Sequence, residues 1–483
     1  VNVLFVTLDQ FRADCLSAAG HPVVHTPHLD RLCREGVRFA SQFSQAAPCA
    51  PGRASLYTGM YQMNHRVVAN GSPLESRFDN IARLGRRAGF EPALFGYTDQ
   101  GIDPTVADGP ADPWLDTYEG ILPGFDPVLS LDGRVTAWLE RLESLGYDTL
   151  APGPALVSEP DRPAEHGVSA FMTDRLLEWV ASRDEPWFAH ASYLRPHPPY
   201  AAPGHWSHRY RPEDMPAPIP LGEVLHPLHR SALSLAVCAA PTDPGEMARL
   251  QAQYFGMVSA VDEQVGRIIE FLKESGRYDE TVIVVTADHA EQLGDHGLIQ
   301  KLGYFEQSYR VLSIVRHPGH PEGFGRIVDR FTEGIDLLPT LAEVLGQDVP
   351  VQCDGGSLLP FLRGEDPEGW RTAAHYEWDW RDMFIGPHRR GGAVDRSLER
   401  YNLAVERNNS HAYVQFADGS WLCFDLAADP SWHTTTADPS VVLPLAQSML
   451  TWRSTHLGGP YTQLLLGSQR RGRWPELDGV ASA

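Results

Sequence analysis

Three things are scarce in this 483-residue chain: cysteine, positive charge and long apolar runs. The six cysteines, Cys15, Cys33, Cys49, Cys238, Cys353 and Cys423, stand far apart, with no CxxC pair among them. That spacing argues against a disulfide framework and against a zinc–thiolate site, and makes a reducing cytoplasm the expected location. Lys and Arg number 40 against 62 Asp and Glu, a formal charge of −22. A chain so acidic has no general means of neutralising a phosphate backbone, so nucleic acid is not an expected partner. The first apolar stretch, Val3 to Leu8, is far too short for a bilayer, and no secretory leader pattern is visible. No membrane partner is expected, and neither an internal repeat nor a low-complexity tract is apparent.

The remainder reads as an ordinary enzyme. Apolar residues make up 42% and charged residues 21%, and the length exceeds what one core usually supports. The expected architecture is α/β: a large, mixed but mostly parallel sheet sandwiched by helices, with a smaller C-terminal α+β subdomain. The boundary falls near 371/372, giving a domain over 1–371 and a subdomain with a small antiparallel sheet and tail over 372–483. Residues 101–165 and 200–245, rich in Pro, Gly and Asp, read as surface insertions that serve as lids, walls or subunit contacts.

Val3–Leu8 and Thr281–Thr286 are continuous β-rich apolar runs, the pattern of strands buried on both faces of a parallel sheet. Further strands are expected over 90–95, 187–194, 413–416 and 420–424. Helices are expected over 26–36, with Thr26 as cap and Pro27 at its first position, and ending at Gly89. A long helix is marked by Met247, Leu250, Tyr254, Met257, Val261, Val265, Ile268 and Leu272.

Ligands of open parallel sheets collect beyond the carboxyl ends of the strands. Asp9 and Gln10 follow the first run, and Asp288 and His289 follow the second. Carboxylate, amide and imidazole together suit a divalent metal such as Mg²⁺, Mn²⁺ or Ca²⁺. The same aspartates would serve equally as caps of the following helices. Cys49, in Pro48-Cys49-Ala50-Pro51-Gly52-Arg53, stands at the start of a helix that runs to Gly59, where free N–H groups favour an anion.

Cys49-Ala50-Pro51-Gly52-Arg53 followed by Ala54-Ser55-Leu56-Tyr57-Thr58-Gly59 resembles the signature of type I sulfatases of the alkaline phosphatase superfamily. Leu8-Asp9-Gln10, Thr26-Pro27-His28-Leu29-Asp30, Thr286-Ala287-Asp288-His289 and Cys423-Phe424-Asp425-Leu426 fall in that family's order. Met63-Asn64-His65-Arg66, Tyr193-Leu194-Arg195-Pro196-His197, Glu291-Gln292-Leu293-Gly294-Asp295-His296 and the stretch from His375 to Asp382 are similar to the phosphonate monoester hydrolase branch.

The resemblance implies a hydrolase of small anionic esters: sulfate monoesters of the arylsulfatase type, with phosphonate monoester and phosphodiester hydrolysis alongside or foremost. It implies oxidation of Cys49 to formylglycine by a maturation enzyme, a covalent sulfo- or phosphono-enzyme, and one divalent metal, Mn²⁺ or Ca²⁺ foremost. The metal shell would comprise Asp9, Gln10, residue 49, Asp288 and His289. Arg53 would orient the nucleophile, and His197 and Lys301 would contact the transferred group or protonate the leaving oxygen. Asn70, Tyr97 and Asp99 would line the substrate pocket, and a homodimer or homotetramer is implied.

Tyr97 and Asp99 replace the Lys and His of classical sulfatases, which favours singly charged esters. Ala290 departs from a usual Gly, and Trp432-His433 from a usual acidic residue. A phosphatase or phosphomutase on the same fold, which would normally use Ser or Thr with two metals and would be favoured by unmodified Cys49 beside two bound ions, and a non-catalytic binding protein are the competing readings.

Overall fold

The computed structural model describes residues 1–117, 119–148, 151–381, 400–458, 465–466 and 472–473. The large sheet has eight strands: β1 (Asn2–Leu8), β2 (Val37–Phe43), β3 (Ala93–Gly96), β4 (Asp126–Ser130), β5 (Phe188–Tyr193), β6 (Thr281–Thr286), β7 (Ser313–Arg316) and β8 (Ile327–Glu333). Their order is β4-β3-β5-β1-β6-β7-β2-β8. The five strands from β4 to β6 are mutually parallel. β7 is antiparallel to both its neighbours, and β2 pairs in parallel with β8.

Every residue of β1 and β6 is buried, because both faces of the sheet are covered. Leu4, Val6 and Leu8 join a core with the long helix Pro244–Glu274 and helix Val168–Ala181, while Val3 and Phe5 face helices Ile81–Arg87 and Leu337–Val344. Alternation along one strand therefore builds two hydrophobic layers, the physical basis of the sandwich.

The second sheet comprises β9 (Ala373–Asp379), β10 (Asn402–Asn408), β11 (His411–Phe416) and β12 (Trp421–Asp425), antiparallel in the order β12-β11-β10-β9. Val442, Leu445, Met449 and Trp452 of the helix Pro439–His456 pack on Ala404, Tyr413 and Cys423. The two sheets meet where Ala46 bridges Glu377, whose backbone N–H donates to Gln45 O at 2.8 Å. Asp382, at the end of the motif that begins at His375, and most of the tail after Gly458 lie outside the described residues.

Two expectations require correction. The segment 101–165 is more than a surface insertion, since β4 lies within it and forms the edge of the main sheet. Helix α1 (Pro27–Arg34) is not capped by Thr26, whose hydroxyl instead bonds Ser17 and Asp30. Its free N–H groups, those of His28 and Leu29, donate to the buried Asp262 at 3.2 and 2.7 Å. A carboxylate from the long helix thus does the work of the local cap.

Candidate active site

Four strand ends and one helix start converge above the carboxyl edge of the parallel strands. β1 delivers Asp9, β3 delivers Tyr97 and Asp99, and β5 leads to His197. β6 delivers Asp288 and His289, and α2 (Cys49–Thr58) begins with Cys49. All ten residues of α2 are buried, so no amphipathic stripe marks it in the sequence. Gly52 is required by close approach: a Cβ there would lie 2.6 Å from the Asp288 carbonyl oxygen and 3.0 Å from that of Ala46. Gly96, at φ +106°, has the same role in β3, where a Cβ would meet Ser192 O at 2.1 Å.

Arg53 lies one turn along α2 from Cys49, with no exposed surface. Its Nε donates to Asp288 at 2.9 Å and its Nη2 to Asp9 at 3.1 Å. Nη1 reaches Ser192 Oγ at 2.7 Å, Tyr57 Oη at 3.1 Å and Tyr97 O at 3.2 Å. The guanidinium also stacks on the Tyr97 ring, 4.3 Å from its centroid, while the Tyr97 hydroxyl donates to Asp9 at 2.5 Å. A planar fork is the shape that can hold two carboxylates at once.

Asp9, Cys49, Asp288 and His289 offer one donor atom each, all within 4.8 Å of one another. Burial works against the charged form of Asp9, but the cationic side chains around it, Arg53 and Lys301, outweigh it and hold the carboxyl below its ordinary range. Asp288 is shifted the other way, by burial and by the Asp9 charge. His289 Nδ1–H donates to Ala290 O at 3.1 Å, which turns the Nε2 lone pair toward Cys49 Sγ, 3.2 Å away. Burial and Lys301 lower its pKa to about 3, so the imidazole is neutral and ready to ligate. Asp9 Oδ1 is buried with no hydrogen-bond partner, its nearest ring nitrogen, His289 Nε2, standing 3.7 Å away. That orphaned oxygen, with its neighbours, fits a hard or borderline divalent cation.

The Cys49 thiol is pushed well up, first by burial and then by Asp9. A bare thiol there stays protonated and is a poor nucleophile.

Gln10, on a left-handed backbone (φ +68°), stands beside these four. Its Oε1 accepts from Lys301 Nζ at 3.0 Å and its Nε2 donates to Glu291. Lys301 Nζ also donates to His197 Nε2 at 2.9 Å, while His197 Nδ1–H donates to Pro198 O at 2.7 Å. His197 is therefore a neutral imidazole with Nε2 as acceptor, and burial followed by the Lys301 charge lowers its pKa to about 4. For Lys301, burial works against the charge, but the carboxylates of Asp9 and Asp288 reverse it and raise the pKa.

A cavity of about 210 Å³ opens over the cluster. Asp9, Cys49, Asn70, Tyr97, Asp99, His197 and Lys301 all line it. Asn70 Oδ1 accepts the Ala50 N–H at 3.0 Å and so completes the start of α2. Asp99, at φ +52°, is nearly buried, and its carboxyl rises to about 7 through burial. The structure thus gathers every residue the sequence nominated, with Arg53 beneath and Gln10 at the side.

Sequence reasoning gave no role to Glu291, whose carboxylate accepts from Gln10, from Tyr200 Oη at 2.9 Å and from the N–H groups of Leu293 and Gln300. Its position two residues after His289 was the available signal. Glu119 and Asp132, also on the cavity wall, sit in the segment read as an insertion, where nothing periodic marks them.

A family profile for sulfatases matches residues 1–347, and one for the C-terminal part of N-sulphoglucosamine sulphohydrolase matches residues 294–450. The multifunctional alkaline phosphatase superfamily protein PehA of Trinickia caryophylli is 38% identical, over 94% of this chain and 95% of its own. The phosphonate monoester hydrolase of Agrobacterium radiobacter is similar in structure, with a TM-score of 0.89 and 39% identity over 98% of this chain and 100% of its own. An arylsulfatase of Clostridium perfringens is 25% identical, covering 78% and 81%.

Proposed function

The chain belongs to the sulfatase family of the alkaline phosphatase superfamily and is a sulfuric ester or phosphonate monoester hydrolase, and from that premise we propose that residue 49 acts as its nucleophile after oxidation of Cys49 to formylglycine by a maturation enzyme. One observation carries the proposal: Cys49 Sγ lies among Asp9, Asp288 and His289 while Lys301 and His197 face it across the cavity. A divalent metal, Mn²⁺ or Ca²⁺, would be held by Asp9, Asp288, His289 and residue 49, with Gln10 alongside. Bound there, it would lower the pKa of the nucleophilic hydroxyl and polarise an ester oxygen.

The chain's own residues account for the rest. Arg53 bonds both Asp9 and Asp288 and favours the ionised form of each. Asn70 and the start of α2 position the nucleophile. The Lys301 ammonium faces the ester and stores the proton that the departing oxygen needs, because His197 is neutral and accepts from it. His197 passes that proton on or orients its donor. This is acid catalysis by a preformed pair, worth about 10²–10⁴-fold. The second hydroxyl of a hydrated formylglycine would permit release by C–O cleavage, which a serine cannot do.

A second reading, in which phosphonate monoesters and phosphodiesters are the main substrates, is favoured by Tyr97 and Asp99. They leave the pocket wall with no added positive charge for a fully ionised group. The ratio of kcat/KM for an aryl sulfate and an aryl phosphonate ranks the two. The test of the nucleophile is the mass of the peptide bearing residue 49, with metal analysis and turnover of Cys49→Ala. A formylglycine mass, bound metal and no turnover by a folded Cys49→Ala variant are the expected results. Near-native rates in that variant would end the reading.

A further inference from the structure

Glu291 is wholly buried, and four donors converge on its carboxylate. Its Oε2 accepts from Gln10 Nε2 and from Tyr200 Oη, the latter at 2.9 Å. Its Oε1 accepts the N–H groups of Leu293, at 2.8 Å, and of Gln300. Only an ionised carboxylate offers acceptors on both oxygens to four donors, and the same bonds favour that form.

Two routes lead from this carboxylate to Lys301. The first runs through Gln10, whose Oε1 accepts from Lys301 Nζ at 3.0 Å. An ammonium only donates and the carboxylate only accepts, so the amide fits between them in one orientation. The second route is backbone. The loop from Leu293 to Gln300 is closed at its base by Glu291 Oε1 and by the Gln292 N–H on Gln300 O at 2.6 Å. Gln300, immediately before Lys301, is held at φ +64°, a left-handed conformation that a residue other than glycine keeps only where its surroundings fix it. Lys301 in turn donates to His197 Nε2 at 2.9 Å.

We propose that Glu291 is a positioning residue for protonation of the departing oxygen: it sets the Lys301 ammonium through the Gln10 amide and through the backbone at Gln300, so that the Lys301–His197 pair meets the leaving group. The inference rests on the reading of that pair as the acid, given above. Glu291→Gln replaces one acceptor oxygen by an NH2 group. Turned to the loop, that group leaves two backbone N–H donors without their acceptor. Turned to Gln10, it forces the amide over, and a second NH2 then faces the ammonium. Either arrangement displaces Lys301.

The experiment uses the 4-nitrophenyl, 4-chlorophenyl and phenyl esters of phenylphosphonate and of sulfate, whose leaving groups fall in acidity in that order. Saturating divalent metal keeps changes in metal affinity through Gln10 out of the comparison. A 4-nitrophenolate departs without a proton, whereas phenolate gains most from one. In Glu291→Gln, kcat/KM for the phenyl ester is expected to fall roughly ten-fold and that for the 4-nitrophenyl ester to stay within about two-fold. Lys301→Met is expected to show the same ordering with larger losses, and adding Glu291→Gln to it to change the rate by no more than about two-fold. Tyr200→Phe, which removes one donor from Oε2, is expected to show the ordering in milder form and carries the test should Glu291→Gln not fold. An equal loss on all three esters, or an undiminished Glu291→Gln loss in the Lys301→Met background, would overturn the proposal. The absence of any ordering in Lys301→Met alone would instead remove the acid reading beneath it.

Discussion

Arg53→Ala tests how the site tolerates two buried carboxylates. Arg53, Asp9 and Asp288 have almost no exposure, and the guanidinium bonds the two acids at 3.1 and 2.9 Å. Removing one partner from a buried ion pair costs about 3–5 kcal/mol, because the remaining charge keeps its desolvation penalty. Two charges are stranded here, but Asp288 can escape by taking up a proton. The expected loss is therefore about 3 kcal/mol at pH 8 and less at pH 5.

Arg53→Lys keeps the charge, but a single ammonium cannot span Asp9, Asp288 and Ser192 together, so roughly half the loss remains. The measurement is urea unfolding followed by tryptophan fluorescence, with chelator present and the slopes compared. Repeated with saturating divalent metal, the Arg53→Ala penalty shrinks, since a dication compensates the same two carboxylates. A loss below about 1 kcal/mol in chelator, or an identical loss with and without metal, would refute this account of the site.

Lys301→Met should lower kcat/KM by about 10²–10⁴-fold without unfolding the protein. Because Lys301 is the second cause, after burial, of the low His197 pKa, the same variant should move the His197 titration up from about 4, as NMR of the imidazole can read. An unmoved titration would break the link between the two residues. Asp99, near 7 through burial, is neutral below that pH and charged above it. For a singly charged anionic ester, kcat/KM should therefore fall as pH rises through about 7, and Asp99→Asn should remove that limb of the profile.

Asp262 does not line the pocket and is also pushed by burial to about 7. The unfolded chain releases that proton near 4, so the folded state binds one proton more between about 4 and 7. Its contribution to stability is complete below about 4 and is lost as pH rises to about 7, by up to ~4 kcal/mol for such a shift. Asp262→Asn, which keeps an acceptor for the start of α1, should flatten that pH dependence in urea unfolding. A variant with the native slope would show that Asp262 is not its source.

The parts of the fold that were readable in the sequence share one physical property: complete burial with a sharp polar end. β1 and β6 are unbroken apolar runs that stop at Asp9 and Asp288, so strand and site were visible together. β2 interrupts its pattern with Arg38, Ser41 and Gln42, whereas β7 has only four residues. β4 contains Pro127, acceptable at a sheet edge but a loop signal in sequence. The cap of α1 lay more than 230 residues away, beyond any local rule. The chemistry of the site was legible because it follows strand ends and a motif. Its wall was not, since Glu119 and Asp132 meet only through tertiary folding.

The Glu291 carboxylate draws together Gln10 behind β1, Tyr200 beyond β5 and both ends of the loop that returns Lys301. The reactive floor is thereby a single tied unit, intolerant of insertion or drift. The acidic wall hangs from a different stretch of chain, held by Glu119 on Gly133. That part of the cavity lining can therefore be exchanged as a piece of chain while the ties around Glu291 are left in place.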